Sequence, residues 1–447
     1  MANEEVRYSD YVHKVTPQQE EPATEPSGTA DATTAADARP AESGFIDVVK
    51  RLFGGDRVLW VIIIVLMTIS VLVVYSSTAK MAYMPSSSTT PAEFLRFQLL
   101  LLLGGIVLMF ATHRINSNVY RALSTWVWLL ALGLTAAVYF TNTTTNGAAR
   151  WFPIFGFQFQ PSEMLKIAIV MYLASQLAKR QKNITTLQIV PSLKFWTWRT
   201  TKQRQIWKDG ARAIFLPIVL SCGVILPAHT SSAVIVFGVS LAMLYIARVN
   251  WREILRLILW AIAGASMVFM LGFGRGNTAD SRITTWIDLW TTSRMEIPAE
   301  KLTDTERSMI AIHNGGLLGR GAGQSTVRVE MTHPESDYAF AFFVEEYGIC
   351  MAIILVALYV WVFFRAIEIF EKCPKRFPAM LSLGLAILIT GQALAHIMVT
   401  VNILPETGQT LPLISRGGSS LLFTCIALGM ILSVSRQTEE GSHSEDN

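Results

Sequence analysis

The sequence predicts an all-α polytopic membrane protein with about ten transmembrane helices and one large extracytoplasmic loop between helices 7 and 8. Of its 447 residues, 51% are hydrophobic and only 16% are charged, whereas globular proteins contain about 25% charged residues. Several apolar runs exceed the roughly 18 residues that a helix needs to cross a bilayer. A soluble protein of this length would need a charged surface that this chain lacks.

The first 44 residues are polar. Residues 1–44 contain nine acidic and three basic side chains and are rich in Glu, Pro, Thr and Ala. This composition cannot bury enough apolar area to fold, so we expect a disordered acidic tail on the cytoplasmic side. Residues 45–57 place apolar side chains on one helical face beside Lys50 and Arg51. That pattern predicts an amphipathic segment in the membrane interface.

Ten apolar segments make up a membrane domain over residues 58–436, and residues 437–447 follow as a cytoplasmic tail. The fourth segment is short and polar, and the eighth is long. The predicted spans are residues 58–77, 95–113, 119–140, 162–178, 212–228, 230–247, 252–273, 338–368, 378–402 and 412–435.

Basic residues in the loops determine the orientation, because cytoplasmic loops carry an excess of Lys and Arg. Between spans four and five, residues 179–212 carry nine basic side chains and only Asp209 as an acidic one. The other basic loops agree, so both termini are expected in the cytoplasm and residues 274–337 outside it. Whether the basic loop also binds a lipid or a partner stays open.

The extracytoplasmic loop holds the first candidate site. Residues 274–337 carry seven basic and nine acidic side chains and are too long for a mere connector. Asp337 stands where this loop enters an apolar run, and Glu345 and Glu346 follow about two turns deeper. Each charge at such depth costs roughly 2.5–3.5 kcal/mol, so it is rarely present without a task. A partly desolvated carboxyl suits a general base, and the alternative role of Asp337 is a helix N-cap.

Two further stretches place polar groups at membrane depth. After the helix start at Pro161, Glu163 and Lys166 stack at i,i+3 on an otherwise apolar helix. They form either a structural ion pair or a cationic group that faces a polar cavity. Residues 402–422 interrupt two apolar runs with two prolines and three glycines. Broken backbone at this depth lines a cavity or packs against protein.

Other site classes are disfavoured. The four cysteines lack CxxC spacing, so neither disulfides nor a zinc site is expected. The glycine-rich run 319–324 lacks the Gly-Lys-Ser/Thr ending of a nucleotide loop. The histidines have no metal-ligand spacing, and we find no nucleic-acid motif.

These stretches together resemble the SEDS family of polytopic cell-wall proteins (shape, elongation, division and sporulation). The resemblance extends in order over almost all of the chain beyond residue 58. Its carriers are Asn146-Gly147, Arg150-Trp151, Gln160-Pro161-Ser162-Glu163, Lys166, Gly315-Gly316-Leu317, Gly319, Gly321, Asp337, Glu345-Glu346, Gly348, Leu404-Pro405, Gly408, Leu411-Pro412, Ser415 and Gly417-Gly418-Ser419-Ser420.

The resemblance implies a ten-helix peptidoglycan glycosyltransferase that polymerises lipid II into glycan strands, with Asp337 at the position of the proposed catalytic aspartate. Transfer from a lipid pyrophosphate needs a base for the attacking hydroxyl and positive charge at the leaving group. The charge would come from basic side chains, with or without a divalent ion such as Mg²⁺ or Mn²⁺. The expected substrate-binding residues are Arg150, Glu163, Lys166, Arg282, Arg320, Glu346, Ser415, Arg416 and Ser419.

Two positions depart from the family pattern. Leu226-Pro227-Ala228-His229 replaces the usual Gln-Pro-Asp, which puts any role of an acidic group there in doubt. Arg416 replaces an aromatic residue, and either a phosphate contact or a pairing with Glu406 would explain it.

The expected partners are a class B penicillin-binding transpeptidase and other divisome proteins in the bacterial inner membrane. The long acidic tail favours the cell-division member of the family over the elongation member. A flippase for the lipid-linked precursor is the alternative from another class, since buried charges and broken helices serve transport too. No internal inverted repeat is visible, which disfavours it.

Overall fold

The structure is a computed structural model. It describes residues 53–78, 91–140, 144–145, 148–149, 151–154, 157–190, 207–270, 276–291, 302–327, 331 and 334–445. The predictions for the tail (1–44) and for most of the interfacial segment (45–57) therefore lie outside the described residues.

The described part of the chain is mainly helical. Its helices are α1 (Arg57–Thr78), α2 (Pro91–Arg114), α3 (Ser117–Ala137), α4 (Pro161–Arg180), α5 (Leu216–Ile225), α6 (Thr230–Ile246), α7 (Trp251–Met270), α8 (Gly276–Thr291), α9 (Asp304–Gly315), α10 (Pro334–Asp337), α11 (Ala339–Lys372), α12 (Arg376–Thr400) and α13 (Gly418–Glu445). A π-helical segment, Trp207–Phe215, leads into α5, and 3₁₀ segments at Val138–Phe140 and Gln181–Thr186 follow α3 and α4.

Six of these helices are long and apolar enough to cross a membrane: α1, α2, α3, α11, α12 and α13. The prediction of a helical polytopic membrane protein is thereby confirmed. Helices also coincide with the four other predicted spans (α4, the segment that ends in α5, α6 and α7), but they are shorter or more polar. Their crossing stays a prediction.

Two short antiparallel hairpins join α3 to α4, which the all-α prediction did not anticipate. In the first, β1 (Thr144–Thr145) pairs with β2 (Ala148–Ala149). In the second, β3 (Phe152–Ile154) pairs with β4 (Phe157–Phe159), so that Phe152 lies opposite Phe159. Threonine and aromatic side chains favour paired strands, but segments this short show no clear alternation in the sequence.

Helices α4 and α12 form the centre of the fold. Both are buried along most of their length, and α4 packs against α3 and α12 while α13 packs along α2. This central position accommodates the polar side chains of α4, because polar groups in a membrane protein face protein rather than lipid. Lys166 is 1% exposed there.

The predicted extracytoplasmic loop is more ordered than a simple loop. It contains α8 and α9, and α9 begins with a capping box in which Thr303 and Glu306 bond each other's backbone N–H. The side chain of Ser308 donates to the carbonyl of Thr400 at 2.8 Å, which attaches α9 to the end of α12.

A kink in α11 receives the glycine-rich loop that follows α9. Gly348 has φ +80° inside the helix, a conformation that glycine adopts without steric cost. A Cβ on Gly348 would collide with the backbone of Leu317 and Gly319. The N–H of Ile349 donates to the carbonyl of Gly316 at 2.9 Å. The glycines of this loop therefore allow close backbone packing on α11.

Candidate functional site

Asp337 is the last residue of the short helix α10, directly before α11. Its side chain is half-buried, and the Ser336 hydroxyl donates to its Oδ1 at 3.0 Å. The N-cap residue of α11 is Tyr338, one residue later than the N-cap role for Asp337 required. The carboxylate therefore stands in the junction between the two helices.

The backbone of residues 401–417, which joins α12 to α13 without a helix, lies against this junction. A Cβ on Gly408 would lie 3.7 Å from Asp337 Oδ2. The Ser415 hydroxyl donates to the carbonyl of Ser336 at 2.8 Å and accepts the N–H of Leu411 at 2.8 Å. We call residues 401–417 the α12–α13 segment. The predicted non-helical backbone thus lies next to Asp337.

Helix α8 brings a cation to the same segment. Arg282 Nη2 lies 3.8 Å from Glu406 Oε1, and Nη1 donates to the Glu406 carbonyl at 3.4 Å. Trp286 Nε1 donates to the carbonyl of Asn402 at 3.1 Å, so two side chains hold α8 in place. Burial raises the pKa of the Glu406 carboxyl, the Arg282 charge opposes this, and the Asp337 charge raises the pKa further. Arg282 and Glu406 therefore form an ion pair on the same segment as Gly408, the residue that lies against Asp337.

A cavity of about 270 Å³ opens beside Arg282 and Glu406, and Asp337 is not among its lining residues. Its apolar wall includes Val234, Ile235 and Leu404, and its polar wall includes Arg282 and Glu406. Such a cavity can take a ligand that has both an apolar part and an anionic part.

The ion pair predicted on α4 is present and deeply buried. Lys166 Nζ lies 2.8 Å from Glu163 Oε2 and 2.8 Å from Gln392 Oε1 on α12. Gln392 Nε2 in turn donates to the carbonyl of Thr410 at 3.2 Å. The pair thus links α4 to α12 and reaches the α12–α13 segment, so the structural and the functional interpretation both fit its contacts.

Glu345 and Glu346 contact the loop after α9. The carboxylate of Glu345 accepts from the Ser325 hydroxyl and from the N–H of Thr326. Glu346 accepts from the hydroxyl of Ser76 at the end of α1. Both carboxylates are buried, and these contacts tie the end of α1 and the loop after α9 to α11.

The remaining predicted site residues lie in different surroundings. Arg320 is exposed and its guanidinium donates to Asn314 and Thr326 within its own loop. Arg416 is half-buried in the α12–α13 segment, and Ser419 accepts the N–H of Gln160 at 3.3 Å. Arg150 lies outside the described residues.

Among the described residues, no group of three or more His, Cys, Asp or Glu side chains is placed to hold a metal ion. Asp337 and Glu406 are the acidic pair whose charges influence each other at the candidate site.

Residues 56–440 match the family model described as Cell cycle protein, which represents FtsW, RodA and SpoVE. This match spans most of the chain. The chain belongs to the FtsW/RodA/SpoVE family. The family predicted from the sequence motifs is thereby confirmed.

Curated members of the FtsW/RodA/SpoVE family resemble this chain over most of its length. A probable peptidoglycan glycosyltransferase FtsW from Aliivibrio salmonicida (strain LFI1238) is 26% identical over 351 residues, which cover 78% of this chain and 81% of the relative. Stage V sporulation protein E from Bacillus subtilis (strain 168) is 28% identical over 388 residues, or 85% of this chain and 97% of the relative.

Solved structures show the same fold. One chain of a peptidoglycan synthase complex, described for its structural coordination of polymerization and crosslinking, aligns with a TM-score of 0.62 at 21% identity, covering 86% of this chain and 98% of that chain. The rod shape determining protein RodA of Thermus thermophilus aligns with a TM-score of 0.56 at 21% identity, covering 86% of this chain and 97% of RodA.

The sequence analysis did not identify two buried polar residues near the site, Gln392 and Gln409. Gln392 contacts Lys166, and Gln409 is 3% exposed in the α12–α13 segment. The signal was available for Gln392, because a carboxamide within an apolar run at membrane depth needs a polar partner.

Proposed function

We propose that this chain is a peptidoglycan glycosyltransferase that polymerises lipid II during septal wall synthesis in cell division. The single observation that carries the proposal is the Arg282–Glu406 ion pair in the wall of a partly apolar cavity, on the same α12–α13 segment whose Gly408 lies against Asp337. A lipid-linked sugar pyrophosphate has both the apolar and the anionic part that such a cavity accommodates. The curated relatives named as probable peptidoglycan glycosyltransferases support the same activity.

The proposed reaction is an inverting transfer. The acceptor hydroxyl loses its proton to Asp337 while its oxygen attacks the anomeric carbon of the lipid-linked sugar. The bond from that carbon to the pyrophosphate oxygen breaks, and its electron pair leaves with undecaprenyl pyrophosphate. Arg282 stabilises the developing negative charge, because a fixed cation in a water-poor site acts strongly on charge that appears in the transition state.

Lys166 and Ser415 are proposed to support Asp337 and the α12–α13 segment through hydrogen bonds. Ser415 holds the peptide before Asp337 through the Ser336 carbonyl. Lys166 reaches the α12–α13 segment through Gln392 and Thr410, and it supplies further positive charge for the pyrophosphate.

A divalent cation, Mg²⁺ or Mn²⁺, belongs to the proposal as an addition to these side chains. Mg²⁺ is commonly held by one or two carboxylates together with substrate phosphate oxygens. Asp337 and Glu406 would supply the carboxylates of that donor set, because Glu406 lines the cavity and Asp337 lies against Gly408, two residues further along the same segment. The ion would neutralise pyrophosphate charge.

The proposed topology has ten spans, both termini in the cytoplasm and residues 274–337 outside the inner membrane. In a cysteine-free background, a cysteine at Ser281 on α8 should react with an impermeant thiol reagent on intact spheroplasts. A cysteine at Ser192, which lies outside the described residues, should not. The opposite pattern would overturn the orientation.

A class B penicillin-binding transpeptidase is the proposed partner, and other divisome proteins are further partners. The likeness to a chain of a peptidoglycan synthase complex supports this. Copurification of the two membrane proteins tests the pairing. A fluorescent fusion that lies at the side wall instead of the septum would favour the elongation role.

The decisive experiment measures glycan strand synthesis by purified protein with lipid II in detergent, where flipping has no meaning. Asparagine keeps nearly the volume of Asp337 but does not accept the proton. Asp337→Asn should therefore lower polymerisation by roughly 10²–10⁴-fold while the protein stays folded. Glu335→Gln, in the same short helix, is the control and should cost far less. Near-normal synthesis by folded Asp337→Asn would reject the base and favour the flippase.

A further inference from the structure

Three consecutive residues of the α12–α13 segment connect the two charged groups of the site. Gly408 lies against Asp337, and the carbonyl of Thr410 accepts from Gln392, the partner of Lys166. Gln409 stands between them. It is none of the residues that carried the family resemblance. It lines the proposed substrate cavity, but the proposed reaction gives it no chemical step.

The side chain of Gln409 is buried in a cluster of polar groups at the start of α6. Its Nε2 lies 2.8 Å from Ser232 Oγ, 2.9 Å from Ser231 Oγ and 3.1 Å from His229 Nδ1. A carboxamide nitrogen has two hydrogens and accepts none. The two shorter contacts, both to serine hydroxyls, use these two hydrogens, so the 3.1 Å approach to His229 Nδ1 is a packing contact and not a hydrogen bond.

The protons of the cluster can then be counted. Ser231 Oγ donates its single hydrogen to the carbonyl of Thr407 at 3.0 Å. The contact of 2.9 Å between Ser231 Oγ and His229 Nδ1 consequently takes its hydrogen from the ring nitrogen. Each of these contacts of Ser231 thereby has a donor, and Thr407 is tied to α6.

The main chain of Gln409 has a second anchor. His396 Nδ1 on α12 lies 2.7 Å from the Gln409 carbonyl oxygen, and His396 is 1% exposed. The α12–α13 segment is therefore held at residue 407 by α6 and at residue 409 by both α6 and α12. Gly408, which faces Asp337, lies between these two fixed points.

We propose that Gln409 is a positioning residue that, with His229 and Ser231, holds the α12–α13 segment at the distance from Asp337 that catalysis needs. This inference rests on the proposed function. The physical reason is that a glycine cannot fix its own backbone by side-chain contacts, so its neighbours must do so. A displacement of about 1 Å near reacting groups can cost about 100-fold in rate.

Gln409→Met tests the proposal, because methionine keeps the length of the side chain and removes its hydrogen bonds. We expect kcat to fall by roughly 10- to 100-fold while KM stays within about threefold, since alignment rather than binding is lost. Hydrogen exchange within residues 401–417 should become faster.

The chain offers a matched control in Gln437. Its carboxamide also bonds two serine hydroxyls, those of Ser117 at 2.7 Å and Ser433 at 2.9 Å. Gln437 lies 19 residues beyond the start of α13 at Gly418, roughly 28 Å along the helix. Gln437→Met should change neither kcat nor the exchange of the α12–α13 segment.

The outcomes separate this inference from the proposed function. Wild-type kcat in folded Gln409→Met, or a rise in KM alone, would overturn the positioning role. If Gln409→Met does not fold, Ser232→Ala removes one acceptor, and unchanged kcat and exchange in that variant would equally reject the role. The exchange measurement needs no turnover, so it reports on the segment even if the protein polymerises nothing.

Discussion

The hydroxyl of Ser415 donates a 2.8 Å hydrogen bond to the carbonyl oxygen of Ser336, the residue that precedes Asp337. These two serines are 79 residues apart in the chain. Because Ser415 also accepts the N–H of Leu411, one hydroxyl fixes both the turn of the α12–α13 segment and the end of α10. The place of the Asp337 carboxylate therefore depends on a residue near the other end of the domain.

Removal of that hydroxyl should disturb both stability and activity. Ser415→Ala is expected to lower the free energy of unfolding by about 1–3 kcal/mol, because the buried carbonyl and N–H lose their partner. Polymerisation should fall by about tenfold, equivalent to 1.4 kcal/mol of barrier. Ser433→Ala is the control, since Ser433 bonds the carbonyl of Ile115 farther along α13. Equal losses of activity in both variants would contradict the assignment.

The buried pair on α4 can be tested with a double variant. Lys166→Met leaves Glu163 as an uncompensated buried charge and should destabilise the protein by about 3–5 kcal/mol. Combining Lys166→Met with Glu163→Gln removes both charges, so we expect stability to return. Polymerisation should stay low if Lys166 neutralises pyrophosphate. An active double variant in a lipid II assay would make the pair purely structural.

Substitution of Gly408 should affect Asp337 directly. Gly408 has φ +60°, so Gly408→Ala introduces a strain of roughly 1–2 kcal/mol. The added methyl group would lie 3.7 Å from Asp337 Oδ2, where it displaces water or the acceptor hydroxyl, and activity should fall by about tenfold. Gly323→Ala is a matched control, because Gly323 has φ +78° and its Cβ would meet nothing within 4 Å. If Gly408→Ala and Gly323→Ala lower Tm by similar amounts and also retain similar polymerisation activity, the prediction is contradicted.

The stability of the protein should depend on pH through Glu406. Burial raises the pKa of this carboxyl, Arg282 opposes the rise, and Asp337 and Asp304 add to it. A carboxyl whose pKa rises on folding binds more protons in the folded state. The free energy of unfolding therefore falls as the pH increases from its ordinary pKa of 4.5 towards the raised value.

Thermal unfolding between about pH 4 and pH 8 measures this effect. Relative to wild type, Glu406→Gln should gain Tm as the pH rises, because it has no carboxyl to ionise. Arg282→Met removes the opposing charge and should make the loss of Tm steeper than in wild type. Parallel curves for all three proteins would show that Glu406 does not titrate in this way.

Much of the fold follows from hydropathy, because apolar runs of membrane length have few alternatives to a buried or lipid-facing helix. The ninth predicted span, 378–402, lies within two residues of α12, and the eighth, 338–368, begins one residue before α11. The i,i+3 spacing of Glu163 and Lys166 likewise predicted a contact that is present. These features depend on local sequence alone.

The tertiary contacts of the site could not be predicted in the same way. Arg282 and Glu406 are 124 residues apart, and nothing local pairs them. Gly348 looks like an ordinary glycine in an apolar run, and the sequence gives no sign that the helix is kinked there. The kink accommodates the loop that packs on it. The capping box at Thr303 was readable from its Thr-x-x-Glu pattern and would have predicted α9.

The attachment of the glycine-rich loop to α11 consists largely of main-chain groups. The N–H of Arg320 donates to the carbonyl of Glu345, and that of Gly321 to Glu346. Such bonds need the glycines of the loop, but they do not depend on the exposed side chains between them. Leu317 and Leu318, at 69% and 84% exposure, can therefore change during evolution while the loop stays attached. The exposed surface of this loop can therefore diverge without moving the helix that follows Asp337.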